Sequence, residues 1–177
     1  KKMIKRLKPY YIIIVLIAMS GCGFSPLYMD QNSSSGLNLT LSQVSLSPIE
    51  GRNGQILITN LENTLAPFGQ ASSSLYSLNI SIKEVQEGYG FRTDEAVTRE
   101  NNRLDINYSL VKNSTGKVLT AGIVRSDMAY DIVQSDFANT QVRKDASIRN
   151  IAAGTTKLAT ILAIYFKKNF TPPPKVQ

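Results

Sequence analysis

The stretch IRNIAAGTTKLATILAIYF, residues 148–166, determines the last element of the fold. Its apolar positions recur at steps of three and four, the spacing of one face of an α-helix. They are Ile151, Ala152, Thr155, Leu158, Ala159, Leu162, Tyr165 and Phe166. We predict a helix over residues 136–168, with Ser135 as its N-cap and an Asp145–Arg149 pair one turn apart. Gly154 indicates a kink or a close packing contact.

Three segments before this helix alternate apolar and polar residues, which is typical of half-buried β-strands. They are LYSLNISIKEV (75–85), RLDINYSLVKN (103–113) and KVLTAGIVRSDMAYDI (117–132). NSTG, residues 113–116, predicts a hairpin turn between the last two. The third segment changes parity beside Gly122, which predicts a β-bulge there. One face of the sheet should therefore be buried, and the other should be open to something else.

Two further elements precede these strands. LNLTLSQVSLSP (37–48) places Leu37, Leu39 and Leu41 on one face and predicts a first strand. Leu57, Leu61 and Leu65 then recur every fourth residue, predicting a helix over residues 54–65 with Asn53 as its N-cap. This helix should end at Ala66-Pro67, because a residue before proline disfavours the α conformation.

Together these elements predict an α+β fold, a two-layer sandwich of order β-α-β-β-β-α. Two helices should pack on one face of a four-stranded, mostly antiparallel sheet, because that arrangement buries every apolar stripe. The single α+β domain should cover residues 37–170, and residues 171–177 should form a disordered tail.

The N-terminal residues indicate export. Five basic residues precede YYIIIVLIAM (10–19), and the small residues Ser20 and Gly21 follow, a pattern typical of a signal peptide over residues 1–21. Cys22, the only cysteine of the chain, could be a reactive nucleophile, a core residue or a site for a membrane anchor. MSGC (19–22) resembles a bacterial lipobox, although methionine replaces the usual leucine, and this predicts acylation of Cys22. Residues 22–36 then form the acylated cysteine and a flexible linker.

The composition argues against several functional classes. The chain has a net charge of +7, but five of its 20 basic residues lie in the leader, so 15 basic and 13 acidic residues remain. This balance does not indicate nucleic-acid binding. The chain has no histidine and no metal-ligand spacing, and Asp94-Glu95 is better explained as a solvated loop than as a carboxylate pair. We expect no catalytic activity, no metal and no cofactor.

Three motifs resemble one known family. CGFSPLY (22–28), PIEGRNGQ (48–55) and SDFANTQVRKDAS (135–147) are similar to segments of the lipopolysaccharide-assembly lipoprotein family (LptE), especially its alphaproteobacterial form. The resemblance implies a lipid-anchored, periplasm-facing outer-membrane protein, held on the inner leaflet by its acyl chains. It also implies a plug inside the lumen of a large β-barrel partner, an LptD-like lipopolysaccharide-assembly protein, with which lipopolysaccharide is delivered to the outer leaflet.

Direct binding of lipopolysaccharide would need basic side chains, because its phosphates are anionic. Arg92, Arg99, Arg103, Arg125, Arg143 and Lys144 are candidates. We predict that four of them lie near one end of the sheet and share a ligand: Arg99, Arg103, Arg143 and Lys144. The sequence does not separate this role from pure scaffolding. The alternative function is that of another periplasm-facing lipoprotein, an auxiliary subunit of a transporter or a pilotin of a secretin.

Overall fold

The computed structural model describes residues 37, 39–91 and 97–169. Its elements follow the predicted order: β1 (Val44–Leu46), α1 (Gly51–Leu65), β2 (Tyr76–Phe91), β3 (Val97–Lys112), β4 (Lys117–Asp131) and α2 (Asp136–Asn169). The predicted leader, linker and tail, together with Cys22, Arg92 and Asp94-Glu95, lie outside the described residues.

The four strands form one sheet in the order β1-β2-β3-β4. β1 pairs parallel with β2 through Val44 and Tyr76, whereas β2–β3 and β3–β4 are antiparallel. The α+β fold class with a mostly antiparallel sheet is thus confirmed. The predicted turn after Asn113 is also present, and Gly116 adopts the positive φ of 65° that glycine accepts most readily.

The core lies between the sheet and the two helices. Strand side chains alternate between faces. The even-numbered side chains in the middle of β2 and β3 point toward the helices, and Leu78, Leu104 and Ile106 are completely buried. The helices contribute the stripes read from the sequence: Leu57, Leu61, Ile151, Leu158 and Leu162 are all at 0 % exposure.

Gly154 marks a close contact between α2 and the sheet. A Cβ atom at this position would lie 2.7 Å from Ile106 Cδ1 and 3.3 Å from Leu104 Cδ2. Of the two interpretations offered by the sequence, the structure supports the packing contact, because a larger residue would collide with the Ile106 and Leu104 side chains unless they moved.

The first strand is shorter than predicted. Residues 39–42 are helical, and only Val44–Leu46 form a strand. Leu37 and Leu41 are buried while Leu39 is exposed. A spacing of four residues puts the two buried leucines on one face of a helix. This short leucine repeat therefore fitted both the two-residue period of a strand and the 3.6-residue period of a helix.

Two local predictions need correction. Asn53 is not the N-cap of α1, since the helix begins at Gly51 after Glu50. The bulge is not at Gly122 either: Leu110 pairs with Thr120 and Val111 with Val118, which leaves the residue between them, Leu119, as the extra one. The lack of a side chain at Gly122 instead leaves space for the Tyr108 ring, because a Cβ atom there would lie 3.1 Å from the Tyr108 hydroxyl.

Candidate functional site

The face of the sheet that turns away from the helices is lined with cross-strand ion pairs. Arg103 on β3 contacts Glu87 on β2 at 3.1 Å and Asp127 on β4 at 3.2 Å, so it links three strands. Arg125 and Asp105 form a second pair at 3.1 Å. We call this surface the outer face; it is made by the odd-numbered side chains of residues 77–87 in β2, 99–111 in β3 and 121–131 in β4. Its charges are largely balanced, and it suits contact with a hydrated partner more than with lipid.

On the opposite side of the sheet, Arg143 of α2 forms an ion pair with Glu100 of β3. The Arg143 guanidinium donates two hydrogen bonds to the two carboxylate oxygens, at 2.9 and 2.6 Å. The Tyr130 hydroxyl donates a third at 2.7 Å. The bond from Arg143 holds the pKa of Glu100 below its usual value and raises the pKa of Arg143. Burial, and then the bond to Glu100, raises the pKa of Tyr130 to about 12. This arrangement ties the start of α2 to the sheet.

A buried polar cluster lies beside this contact. Asn150 is completely buried, and its Nδ2 donates to the carbonyl and side-chain oxygens of Asn102, both at 2.7 Å. Asn102 in turn donates to Glu84, whose other carboxylate oxygen accepts from Asn53 Nδ2 at 2.6 Å. Asn53 also donates to Ser147 at 3.1 Å. The cluster therefore connects α1, α2 and the middle of the sheet.

A cleft of about 180 Å³ opens beside this cluster, between the first turn of α1, β2 and α2. We call it the basic cleft; it is lined by Arg52, Asn53, Glu84, Gln86, Arg143, Lys144, Ser147 and Ile148. Among the described residues, neither Arg52 nor Lys144 is paired with a carboxylate. Two unpaired cations, together with the partly positive N-terminus of α1, suit an anionic group such as a phosphate.

The structure divides the four predicted ligand residues between the two sides of the sheet. Arg99 and Arg103 lie on the outer face, where Arg99 is 3.6 Å from Asp131. Arg143 and Lys144 line the basic cleft on the helix side. The four side chains therefore do not line one surface, because successive side chains of β3 point to opposite faces of the sheet. Whether any of them contacts lipopolysaccharide stays a prediction.

Sequence reasoning missed Arg52, which lines the basic cleft together with Lys144 although the two residues are far apart along the chain. The sequence suggested Arg143 as a ligand residue but did not predict its ion pair with Glu100. It did predict the Asp145–Arg149 pair, which forms at 2.9 Å. Within the described residues, no group of side chains is arranged to hold a metal ion. No helix in that part of the chain has the length and apolar character needed to span a bilayer.

The Glu100–Arg143 contact leads to a pH-dependent prediction. Since the pKa of Glu100 is lowered on folding, its contribution is present at neutral pH and is lost as the pH falls through the folded-state pKa. We expect Glu100→Gln to lower the free energy of unfolding by about 1–2 kcal/mol at pH 7, allowing for the partial exposure of Arg143. The difference in the free energy of unfolding between the wild type and Glu100→Gln should become smaller below about pH 4.

Urea unfolding across this pH range measures the effect. The control is Asp145→Asn, which breaks an exposed pair and should change stability by less than about 0.5 kcal/mol. An equal, pH-independent loss in both variants would contradict the assignment.

No protein-family model matches the chain, and no curated protein matches it. Solved structures do. A candidate lipoprotein from Caulobacter crescentus superposes with a TM-score of 0.63 at 24% identity, covering 77% of this chain and 99% of that one. A minor lipoprotein from Acinetobacter baumannii gives 0.56 at 15% identity, with 68% and 90% coverage. Rare lipoprotein B from Shewanella oneidensis gives 0.55 at 10% identity, with 71% and 96% coverage. The chain therefore shares its two-layer α+β fold with these proteins.

Proposed function

We propose that this protein is a non-enzymatic outer-membrane lipoprotein that plugs and assembles a β-barrel lipopolysaccharide translocon. The observation that carries the proposal is that a chain with a lipobox-like cysteine has the fold of bacterial proteins named as lipoproteins, over nearly their whole length. The resemblance of its motifs to the lipopolysaccharide-assembly family narrows the function from lipoprotein to translocon component.

The composition of the outer face supports a position of the domain inside a barrel lumen. The lumen of an outer-membrane barrel is polar, and the outer face presents arginine, aspartate and asparagine side chains such as Arg103, Asp127 and Asn107. No described helix covers this face, so it is open to a hydrated wall. In this proposal the acyl chains on Cys22 hold the protein at the inner leaflet, while the domain occupies the barrel.

Gentle detergent extraction followed by mass identification of the co-purifying partner tests this function. We expect a large single-chain β-barrel protein. An inner-membrane transporter complex or a secretin in its place would favour the alternative roles of auxiliary subunit or pilotin.

Direct handling of lipopolysaccharide is assigned to the basic cleft rather than to all four basic residues suggested by the sequence. Reversing the two unpaired cations, Arg52→Glu with Lys144→Glu, should weaken lipopolysaccharide capture about tenfold to a hundredfold, because two charge-assisted contacts become repulsive. Arg143 stays unchanged in this variant, because it holds Glu100.

Pull-down with immobilised lipopolysaccharide at fixed salt measures this loss. Lys83→Glu, a single reversal on the outer face, is the control for lipopolysaccharide capture and should bind lipopolysaccharide normally. The cleft variant should retain the barrel partner. A separate Arg99→Glu, Arg103→Glu variant examines the outer face. If that variant loses binding and the cleft variant does not, the cleft assignment is wrong.

A further inference from the structure

One end of the domain is built from three segments that hydrogen bonds hold together. Two backbone hydrogen bonds attach the loop at residues 66–75 to residues 42 and 43, at the end of the helical turn. Ala71 N–H donates to Ser42 O and Leu75 N–H donates to Gln43 O, both at 3.0 Å. Asn113, in the β3–β4 turn, donates from its backbone to Leu75 O at 3.0 Å and from its side chain to Ser74 O at 2.9 Å. These bonds give the loop a defined place on the domain.

The last turns of α2 reach the same end. The ring of Phe166 packs edge-on against Tyr76, the first residue of β2, with centroids 5.1 Å apart. Tyr76 pairs with Lys112, and Lys112 with Lys117. The end therefore combines the loop, the helical turn, the hairpin turn and the C-terminus of α2.

Large apolar side chains are exposed here. Phe68 is 94% exposed and Leu39 is 64% exposed, and they line a shallow cleft of about 500 Å³ with Ala66, Pro67 and Ala71. Leu75 and Val118 are also exposed nearby. The lining of this cleft contains no charged side chain.

Four lysines lie at the same end of the domain, two beside the β3–β4 turn and two in the last turn of α2. Lys112, Lys117, Lys167 and Lys168 are exposed, and none of them forms an ion pair with another described residue. The contributing segments, residues 37–49, 66–82, 110–120 and 158–169, contain no aspartate or glutamate. We call this surface, defined by Leu39, Phe68, Leu75, Val118 and the four lysines, the amphiphilic end. Its charge is of one sign, unlike the balanced outer face.

We propose that the amphiphilic end docks on the surface of a phospholipid bilayer with anionic headgroups. An exposed phenylalanine and leucines can enter the boundary between headgroups and acyl chains, while lysines bind the phosphates. The excess of lysines over acidic residues favours an anionic lipid surface over a protein of mixed charge, since Glu62, one turn before the cleft in α1, is the acidic residue nearest to it along the chain. The outer face, with its carboxylates, cannot serve this purpose.

The position of the predicted anchor supports this occupant, and to that extent the proposal rests on the proposed function. The acylated residue is Cys22, and only residues 23–36 separate it from Leu37, which belongs to this end. A chain of that length reaches at most about 50 Å even when fully extended. The tether therefore keeps the amphiphilic end within reach of the bilayer that holds the acyl chains, where its apolar side chains and lysines can add to the contact.

Site-specific labelling of the full acylated chain in vesicles tests the docking. Phe68→Cys carries an environment-sensitive fluorophore, and the vesicles contain phosphatidylethanolamine with phosphatidylglycerol. Phe137→Cys is the matched control, because Phe137 is also a highly exposed phenylalanine, at 76%, but begins α2 at the other end of the domain. We expect the Phe68 label to be blue-shifted and quenched several-fold more by spin-labelled lipid than the Phe137 label.

The lysine contribution is measured separately. Lys112→Gln with Lys117→Gln, or vesicles of phosphatidylcholine alone, should reduce the quenching of the Phe68 label. If the chain floats with the vesicles but the two labels remain equally accessible to a water-soluble quencher, the docking proposal is overturned while acylation stands. If only the presence of the barrel partner protects the Phe68 label, a protein occupies the surface and the proposal is likewise overturned. If the chain does not float and its mass lacks acyl groups, both the docking and the proposed function fail.

Discussion

Changing Asn150 to aspartate is expected to lower the free energy of unfolding by about 3–5 kcal/mol at pH 7. The substitution keeps the shape of the side chain but replaces the Nδ2 donor with an oxygen. That oxygen would face three acceptors: the backbone and side-chain oxygens of Asn102 and the carbonyl of Ser126. Because Asn150 is completely buried, water cannot solvate the new charge.

The pH dependence distinguishes this mechanism from simple misfitting. Burial and the facing oxygens should raise the pKa of the new carboxyl group, so the folded state would resist ionisation. The loss should therefore be small below about pH 4 and grow as the pH rises. Asn107→Asp, an exposed change on the outer face of β3, should alter stability by less than about 0.5 kcal/mol. Equal losses at both positions in urea unfolding would show that the buried cluster does not hold the domain together.

Replacing Cys22 with serine is expected to abolish acylation completely. A serine has no thiol to carry a thioether-linked lipid, so the lipoprotein route of processing cannot start. The mass of the N-terminal peptide measures the result: the wild-type chain should begin at Cys22 with acyl groups attached, whereas Cys22→Ser should retain the preceding residues and carry no lipid.

Ser25→Ala, three residues further along, should be acylated and processed like the wild type. If the Cys22→Ser chain were processed and remained bound to membranes in the same way as the wild type, the anchor would have to lie elsewhere. The proposed role at the outer membrane would then lose its main support.

The sequence predicted the elements with strong periodicity. The stripe from Ile151 to Phe166 placed α2 within one residue of its observed end, and Pro67 marked the end of α1. These predictions succeeded because each stripe must be buried on one side of its own element. The leucine repeat at residues 37–41 failed because it was too short to distinguish a period of two from a helical turn.

The site was harder to predict because it depends on how elements meet. The parity of β3 did contain part of the answer: Leu104 and Ile106 point inward, so Arg103 must point outward, away from α2. The position of the helices on the sheet decides which of their side chains meet. It places Arg52 and Lys144 in one cleft, and it brings Arg143 to Glu100. No spacing along the chain contains that information.

The most direct measurement for the central claim is photo-crosslinking from the outer face in living cells. A photoreactive residue in place of Asn107, exposed in the middle of β3, should form a crosslink to a large β-barrel outer-membrane protein. The same probe in place of Thr156, on the exposed side of α2, reports how far the partner surrounds the domain. A crosslinked barrel from Asn107 is the result we predict. Crosslinks from Asn107 only to an inner-membrane transporter or a secretin, or no partner at all, would contradict the account.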